Sequence, residues 1–354
     1  MVKLSHNRTL AVSAVAACVA VAAGVAGFLA GRYVADNRKP CFANEYVLYV
    51  YPGTDAGTAI DSLMSGAGAL RRGSLERCAA KEGLESGIKP GRYVIEPSFT
   101  AVYAVRMLVH GWQTPQNMTL SGTIRSKGSL ARKIGMQMMV DSAQVAQALC
   151  DTAFLARYGY TPENIFAMIL PDTYQMYWTA SVKDIFDRLS KEHDIYWTDS
   201  RKDAAEALGL SPYEATVLAS IVSGETLKPF EYPEIAGVYL NRLHRGMKLQ
   251  ADPTVAFCYG YTLDRILRKH LKVDSPYNTY KYKGLPPAPI NVPLKACIEA
   301  VLHPDRHGYL YFCASPAFDG THRFAVTYKE HLKNAREFQR ALTQRQREKA
   351  AAAR

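Results

Sequence analysis

Residues 10–30 carry no charged side chain. A helix of about 20 apolar residues spans the hydrocarbon core of a bilayer. The run therefore divides the chain into a segment suited to lipid and a remainder that must bury its own core. Lys3 and Arg8 precede the run and Arg32 follows it. Its Ala, Val and Gly content makes it moderately apolar, so a cleaved signal peptide has a similar layout. Length, and the lack of a clear polar cleavage region, favour a retained single-pass anchor. Charge orients it weakly, because Arg38 and Lys39 also lie after the run.

The remainder of the 354 residues leaves room for two modest domains. A hydrophobic fraction of 48% is ordinary for a folded protein and excludes wholesale disorder. The formal charge of +11 raises the question of a polyanionic partner. Its basic residues are dispersed, concentrated only at Arg71-Arg72 and in the C-terminal tail. That pattern suits a phospholipid surface or an acidic cell-wall polymer better than nucleic acid. Cys18 lies in the apolar run. Cys41, Cys78, Cys150, Cys258, Cys297 and Cys313 are scattered without CxxC spacing, and are expected as buried free thiols. His303 and His307 have helical spacing, but Pro304 lies between them and no acidic third ligand is near, so no metal is expected. Nor is a cofactor: GxGxxG, Walker and GxSxG patterns are missing, which leaves nucleotide chemistry and serine hydrolysis unsupported.

Residues 46–51 form a dense β-forming run stopped by Pro52-Gly53. Helices are expected over 59–70 and 98–109, with a turn and strand at 89–95 between them, giving a first small unit over 42–117. A mixed region follows over 118–211. In it Asp172 either caps the next turn or lines a cleft, and Val182–Tyr196 reads as an amphipathic helix. Residues 294–302 read as a helix, 309–314 and 323–326 as strands, and 329–342 as a last helix before a solvated, frayed tail. The proline-rich stretch 274–293 holds Tyr277, Tyr280 and Tyr282. Aromatic faces stacking on pyranose rings, with Asn278 and Thr279 bonding hydroxyl or acetamido groups, would make a polysaccharide groove. A rigid loop packed on the core is the plainer alternative.

The chemistry concentrates in residues 211–255. Ser211, Pro212 and Glu214 form a helix start with a capping box. Val217, Leu218, Ile221 and Val222 then recur at helical spacing, and Glu225 falls on the same face. A carboxyl there is partly desolvated and sits at a helix C-terminus, where the dipole disfavours negative charge. Both effects raise its pKa toward that of a general acid. The alternative is a Glu that snorkels out of a fraying last turn. A second helix begins near Pro233 and stops at His244-Arg245-Gly246. The polar turn after it brings Gln250, Asp252 and Thr254 over the end of the first helix. One carboxylic acid among hydrogen-bonding groups suits sugar chemistry better than proteolysis.

Ser220-Ile221-Val222-Ser223-Gly224-Glu225-Thr226, Ile235-Ala236-Gly237-Val238, Asn241-Arg242-Leu243 and Leu249-Gln250-Ala251-Asp252-Pro253-Thr254-Val255 resemble the YceG-like (MltG) endolytic murein transglycosylases. Pro276-Tyr277-Asn278-Thr279-Tyr280 and Gly284-Leu285-Pro286-Pro287 extend the likeness. Ser223 departs from the family's common second Glu, and Leu120-Ser121-Gly122-Thr123 replaces its Glu-Gly pair. The resemblance implies an α+β fold: a cytoplasmic tail at 1–9, a transmembrane helix at 10–31 and a LysM-like β/α subdomain at 42–117. A catalytic domain with a lysozyme-like helical site would cover 118–342, and a basic tail 343–354. It implies Glu225 as catalytic acid, with Gln250, Asp252, Thr254, Tyr277, Asn278, Thr279, Tyr280, Glu231 and Asn241 on the substrate. The reaction would be lytic cleavage of the MurNAc–GlcNAc bond, leaving 1,6-anhydro ends. The setting would be the bacterial inner membrane, with the body on the periplasmic side. Partners would be peptidoglycan strands and, as candidates, cell-wall synthases. A hydrolytic muramidase and a silent glycan-binding scaffold are the competing readings.

Overall fold

The computed structural model describes residues 3–352, and their side chains from residue 11 onward. The outermost residues of both expected tails, 1–2 and 353–354, lie outside the described residues, as do the side chains of Lys3 and Arg8. Helix α1 (Lys3–Asn37) contains the apolar run and continues past residue 31. Its segment Ala11–Asn37 has 27 residues, and the most apolar 18-residue stretch within it has mean hydropathy 2.3 and nothing buried, so it is long and apolar enough to cross a membrane. The chain forms two compact units, residues 1–117 with 175–179, and residues 118–174 with 180–354.

In the first unit, β1 (Tyr46–Val50) runs antiparallel to β2 (Gly91–Ile95), with Tyr46 opposite Ile95 and Val50 opposite Gly91. Strand alternation turns Leu48, Val50, Tyr93 and Ile95 inward. Helices α2 (Ala56–Ser65), α3 (Arg72–Glu82) and α4 (Leu84–Gly87) lie between these strands in sequence, and α5 (Ala101–His110) follows. The helix expected over 59–70 starts earlier, because the Asp55 side chain caps it by accepting from the Thr58 amide. It also stops earlier. Gly66 lies so close to the Tyr46 ring that a Cβ there would come within 2.3 Å. Helix α3 was not expected: its buried face is only Ser74, Leu75, Cys78 and Ala79, too small and polar to stand out as periodicity.

Strands β3 (Gln116–Thr119) and β4 (Thr173–Met176) pair. The second unit is mainly helical, with α6 (Lys127–Gly135), α7 (Ser142–Ala148), α8 (Thr152–Ala156), α9 (Val182–Tyr196) and α10 (Asp199–Ala207) leading to the centre. There α11 (Pro212–Glu225) is apolar on every side, and all its residues from Ala215 to Val222 are buried. A helix hydrophobic all round belongs in a core. Around it pack α12 (Tyr232–His244), α13 (Asp252–Cys258) and α14 (Lys295–Leu302). Asp172 accepts from the Thr173 amide at 2.7 Å and pairs with Lys295 on α14. The antiparallel hairpin β5 (Tyr311–Ala314) and β6 (His322–Ala325) packs against α15 (Tyr328–Ala352).

Two expectations need correction. The stretch 343–352 is helical rather than frayed, since its Ala, Arg, Gln and Lys are strong helix formers. Of the six cysteines expected to be buried, Cys150 is exposed and Cys258 and Cys313 are half-buried; Cys41, Cys78 and Cys297 are buried free thiols.

Candidate active site

Glu225 is the last residue of α11, and three local features set it there. The Ser211 hydroxyl accepts from the Glu214 amide while the Glu214 carboxylate accepts from the Ser211 amide, and Pro212 occupies the first turn. Fourteen residues after Pro212, Thr226 turns extended, with φ −142° and ψ 154°, ending the helix ahead of Pro229. Glu225 is thus half-buried, at a terminus whose free carbonyls repel negative charge. The hydroxyl of Tyr239, on α12, donates to Glu225 Oε1. Burial pushes the Glu225 carboxyl up to about 7; the Tyr239 hydrogen bond opposes this, the charge of Asp252 adds to it, and Arg242 opposes it. Tyr239 is only 1% exposed, and burial followed by the Glu225 charge holds its phenol well above the ordinary value.

Asp252 opens α13 and is presented by a turn in which Gln250 adopts φ +52°. A non-glycine residue in that region is strained by about 1 kcal/mol. The turn is held from several directions. The Gln250 amide donates to the Thr279 carbonyl at 3.1 Å and the Ala251 amide to Thr279 Oγ1 at 3.0 Å. The hydroxyls of Thr254 and Thr279 meet at 2.9 Å, both buried. Arg242 donates from Nη1 to the Leu249 carbonyl at 2.7 Å and from Nε to the Leu310 carbonyl at 2.6 Å. The result is a fixed approach of the Tyr280 hydroxyl to Asp252 Oδ1, at 2.6 Å.

Glu225 and Asp252 share a cleft of about 340 Å³ with Thr123, Arg125, Tyr261 and Asn291, beside apolar Leu263 and Ile266. These four polar residues were missed in the sequence, because they come from a loop near 123, a turn near 261 and the stretch after Ile290. Residues 123–125 offered one legible signal: a short polar-apolar-polar alternation about Ile124. Gly224 lets α13 approach, since a Cβ there would sit 2.7 Å from the Cβ of Pro253. Asn291 is 2% exposed and donates from Nδ2 to the Ser220 carbonyl at 2.8 Å. That bond fixes the amide's orientation and leaves its Oδ1 buried without a partner, at a cost of about 1–3 kcal/mol.

Of the residues expected on substrate, the structure brings Asp252 to the cleft, and Tyr280 to Asp252. Gln250 is exposed beside them. Thr254 and Thr279 are buried and weld the turn to the 277–280 loop. Asn278 is fully buried, donating to the Leu271 and Val273 carbonyls at 3.0 and 2.8 Å. Tyr277 packs on Phe257 with ring centroids 4.6 Å apart, and the Tyr282 hydroxyl donates to Asp274. Glu231 is 3% exposed. It accepts from the Thr226 hydroxyl at 2.9 Å and the His322 amide at 2.6 Å, with His322 Nδ1 at 3.0 Å. Asn241 donates to the carbonyls of His307 and Tyr309. Polar chains in the interior must find partners, and these residues hold the frame of the site. His307 faces the Glu234 carbonyl at 2.9 Å, and no metal-binding group of His, Cys, Asp and Glu occurs among the described residues.

A larger cavity, about 720 Å³, lies at the other end of α11 among Leu208, Tyr213, Leu240 and Leu285. The 14-residue helix separates it from Glu225 by about 20 Å. Its carboxylate, Glu214, is committed to the capping box, so the smaller cleft holds the available proton donor.

The YceG-like family model matches residues 48–337. The endolytic murein transglycosylase of Bacillus subtilis (strain 168) is 44% identical over 124 residues, which are 35% of this chain and 34% of the relative. A protein of the same name from Streptococcus pneumoniae serotype 2 is 26% identical over 94% of this chain and 66% of its own length. The chain thus spans about a third and just under two thirds of these curated relatives. A crystal structure of a YceG-like protein from Listeria monocytogenes superposes with a TM-score of 0.55 at 26% identity, covering 82% of this chain and 98% of its own. This chain belongs to the YceG-like family.

Proposed function

We propose that the protein is a membrane-anchored endolytic transglycosylase that cuts the MurNAc–GlcNAc bond of nascent peptidoglycan strands. The observation that carries this reading is Glu225: a carboxyl pushed up to about 7, held by Tyr239 in an open cleft. A donor with a pKa near the working pH is what general acid catalysis requires. The names of the two murein transglycosylase relatives support the choice of substrate.

Because Oε1 accepts from Tyr239, the acidic proton sits on Oε2 and goes to the bridging glycosidic oxygen. As the bond breaks, the GlcNAc side leaves with the protonated oxygen as its hydroxyl, and the acetamido group of the MurNAc stabilises the oxocarbenium charge at its own C1. The carboxylate left on Glu225 is stabilised by the Tyr239 hydroxyl and the nearby Arg242. It then takes the proton of the C6 hydroxyl, whose oxygen closes on C1 to form the 1,6-anhydro ring. No water is consumed, and Glu225 returns to its protonated form. Asp252 keeps the acid's affinity for protons high and, with Tyr280, borders the bound sugar. The β-α-α-α-β order of the first unit suits a LysM-like glycan-binding module, and α1 a single-pass anchor in the bacterial cytoplasmic membrane with the body outside.

Asp252 favours one second reading, in which it orients a water and the same bond is hydrolysed. Digestion of purified sacculi by wild type and Glu225→Gln, with chain ends read by mass spectrometry, decides. Anhydro ends that vanish in the variant support the lyase. Hydrated ends support the muramidase, and cleavage unchanged in Glu225→Gln defeats both.

A further inference from the structure

Arg125 has no part in the acid–base steps, yet it is built into the same cleft. Ile124 is fully buried, and its carbonyl accepts from the Val292 amide at 2.9 Å, an isolated antiparallel bridge. In an extended segment neighbours of a buried residue face the other way. Thr123 and Arg125 are accordingly exposed and line the cleft. The Arg125 guanidinium lies over the Tyr261 ring, 4.9 Å from its centroid.

That ring is itself held firmly. Its hydroxyl donates to the Ile290 carbonyl at 2.6 Å, and Tyr261 has φ +58°, a conformation that bulky residues keep only under constraint. Arg125 forms no ion pair among the described residues. The other charged groups of the cleft are carboxyls, Glu225 and Asp252. A guanidinium held over a ring and bonded to no carboxylate keeps its N–H groups for a ligand, in the fork that matches a carboxylate. Neutral sugar hydroxyls do not call for such a group, and the exposed Thr123 beside it can already bond them.

We propose that Arg125, on its Tyr261 platform, is a carboxylate-recognition subsite that selects muramyl residues over neutral amino sugars. This rests on the glycan-cleaving reading above. The carboxylate has two sources in such a strand: the lactyl group itself where the peptide is absent, or the stem peptide where it is present.

The test compares wild type, Arg125→Gln, Arg125→Lys and Tyr261→Leu, after thermal melts show that each is folded. The ligands are peptide-bearing strands, strands stripped by an amidase, and neutral chito-oligosaccharides. Arg125→Gln should raise KM about tenfold on the carboxylate-bearing substrate, with kcat changed far less and the salt dependence of KM flattened. Arg125→Lys should recover part of the loss. Affinity for chito-oligosaccharides should not move. A defect confined to stripped strands assigns the lactyl carboxylate, and one confined to peptide-bearing strands assigns the stem. Identical KM and salt dependence in Arg125→Gln and wild type on both kinds of strand, or an equal loss on the neutral ligand, overturns the proposal. If wild type cuts nothing, the cleavage reading fails by itself. Equilibrium binding of stripped muramyl fragments and chito-oligosaccharides to Glu225→Gln, with and without Arg125→Gln, still tests the subsite.

Discussion

The proton on Glu225 ties catalysis and stability to the same pH range. The folded carboxyl is pushed up to about 7 from an ordinary 4.5, so the folded state binds more protons than the unfolded one between those values. Stability from this group is complete below 4.5 and is lost as pH rises through about 7. Glu225→Gln removes the titration. Wild type should therefore lose about 2–3 kcal/mol relative to the variant across that interval, read by denaturant melts at a series of pH values. Turnover of wild type should fall on the alkaline side of about 7, as the acid form disappears. Tyr239→Phe removes a donor that favours the carboxylate. Its alkaline limb should move up by about one pH unit while kcat drops about tenfold. Asp252→Asn removes a charge that favours the protonated form, so its limb should move the opposite way, by about half a unit. Equal limbs in all three proteins would show that another group is titrating. Glu225 was legible in the sequence because helical periodicity and a helix end are local signals. Tyr239 was not, since nothing local shows that its hydroxyl reaches back to Oε1. The polarity of Thr254, Asn278 and Thr279 is visible in the sequence, but their burial by long-range packing is not.

At the level of elements, the site is a junction that fails if spacing changes. Glu231 joins the residue after α11 to β6 through Thr226 and His322. Glu231→Ala leaves these partners without their acceptor, and should cost about 3 kcal/mol in a denaturant melt. It should also lower kcat, because Thr226 sets where α11 ends. A melt unchanged to within experimental error would remove Glu231 from the frame. Gly224→Ala tests the gap between α11 and α13. A methyl placed 2.7 Å from the Pro253 Cβ must push α13, and Asp252 with it, away from Glu225. Activity should fall at least tenfold. The helices themselves follow from the sequence where capping and periodicity agree, as in α9 and α11. The cleft walls do not, because residues 123–125, 261 and 291 are brought together by tertiary packing alone.

For the whole molecule, the question is what α1 does. Full-length protein should stay in the membrane pellet under alkaline carbonate, while a chain starting at residue 40 should be soluble and keep the cleavage activity. An N-terminus found downstream of residue 30 in the mature protein would make the apolar run a signal peptide instead. The end of α1 carries a consequence of its own. Arg77 binds Asp36 through two hydrogen bonds, at 2.6 and 3.0 Å, and Arg71 donates to the carbonyls of Ala35, Lys39 and Pro40. If α1 is kept as an anchor, about 20 of the 27 residues would fill a bilayer core, which would leave roughly 10 Å of stiff helix standing clear of it. Bolted at its top by two arginines, such a stem would be a mast, not a leash: in an anchored chain the first unit would ride at a set height above the lipid and could not sweep the surface around it.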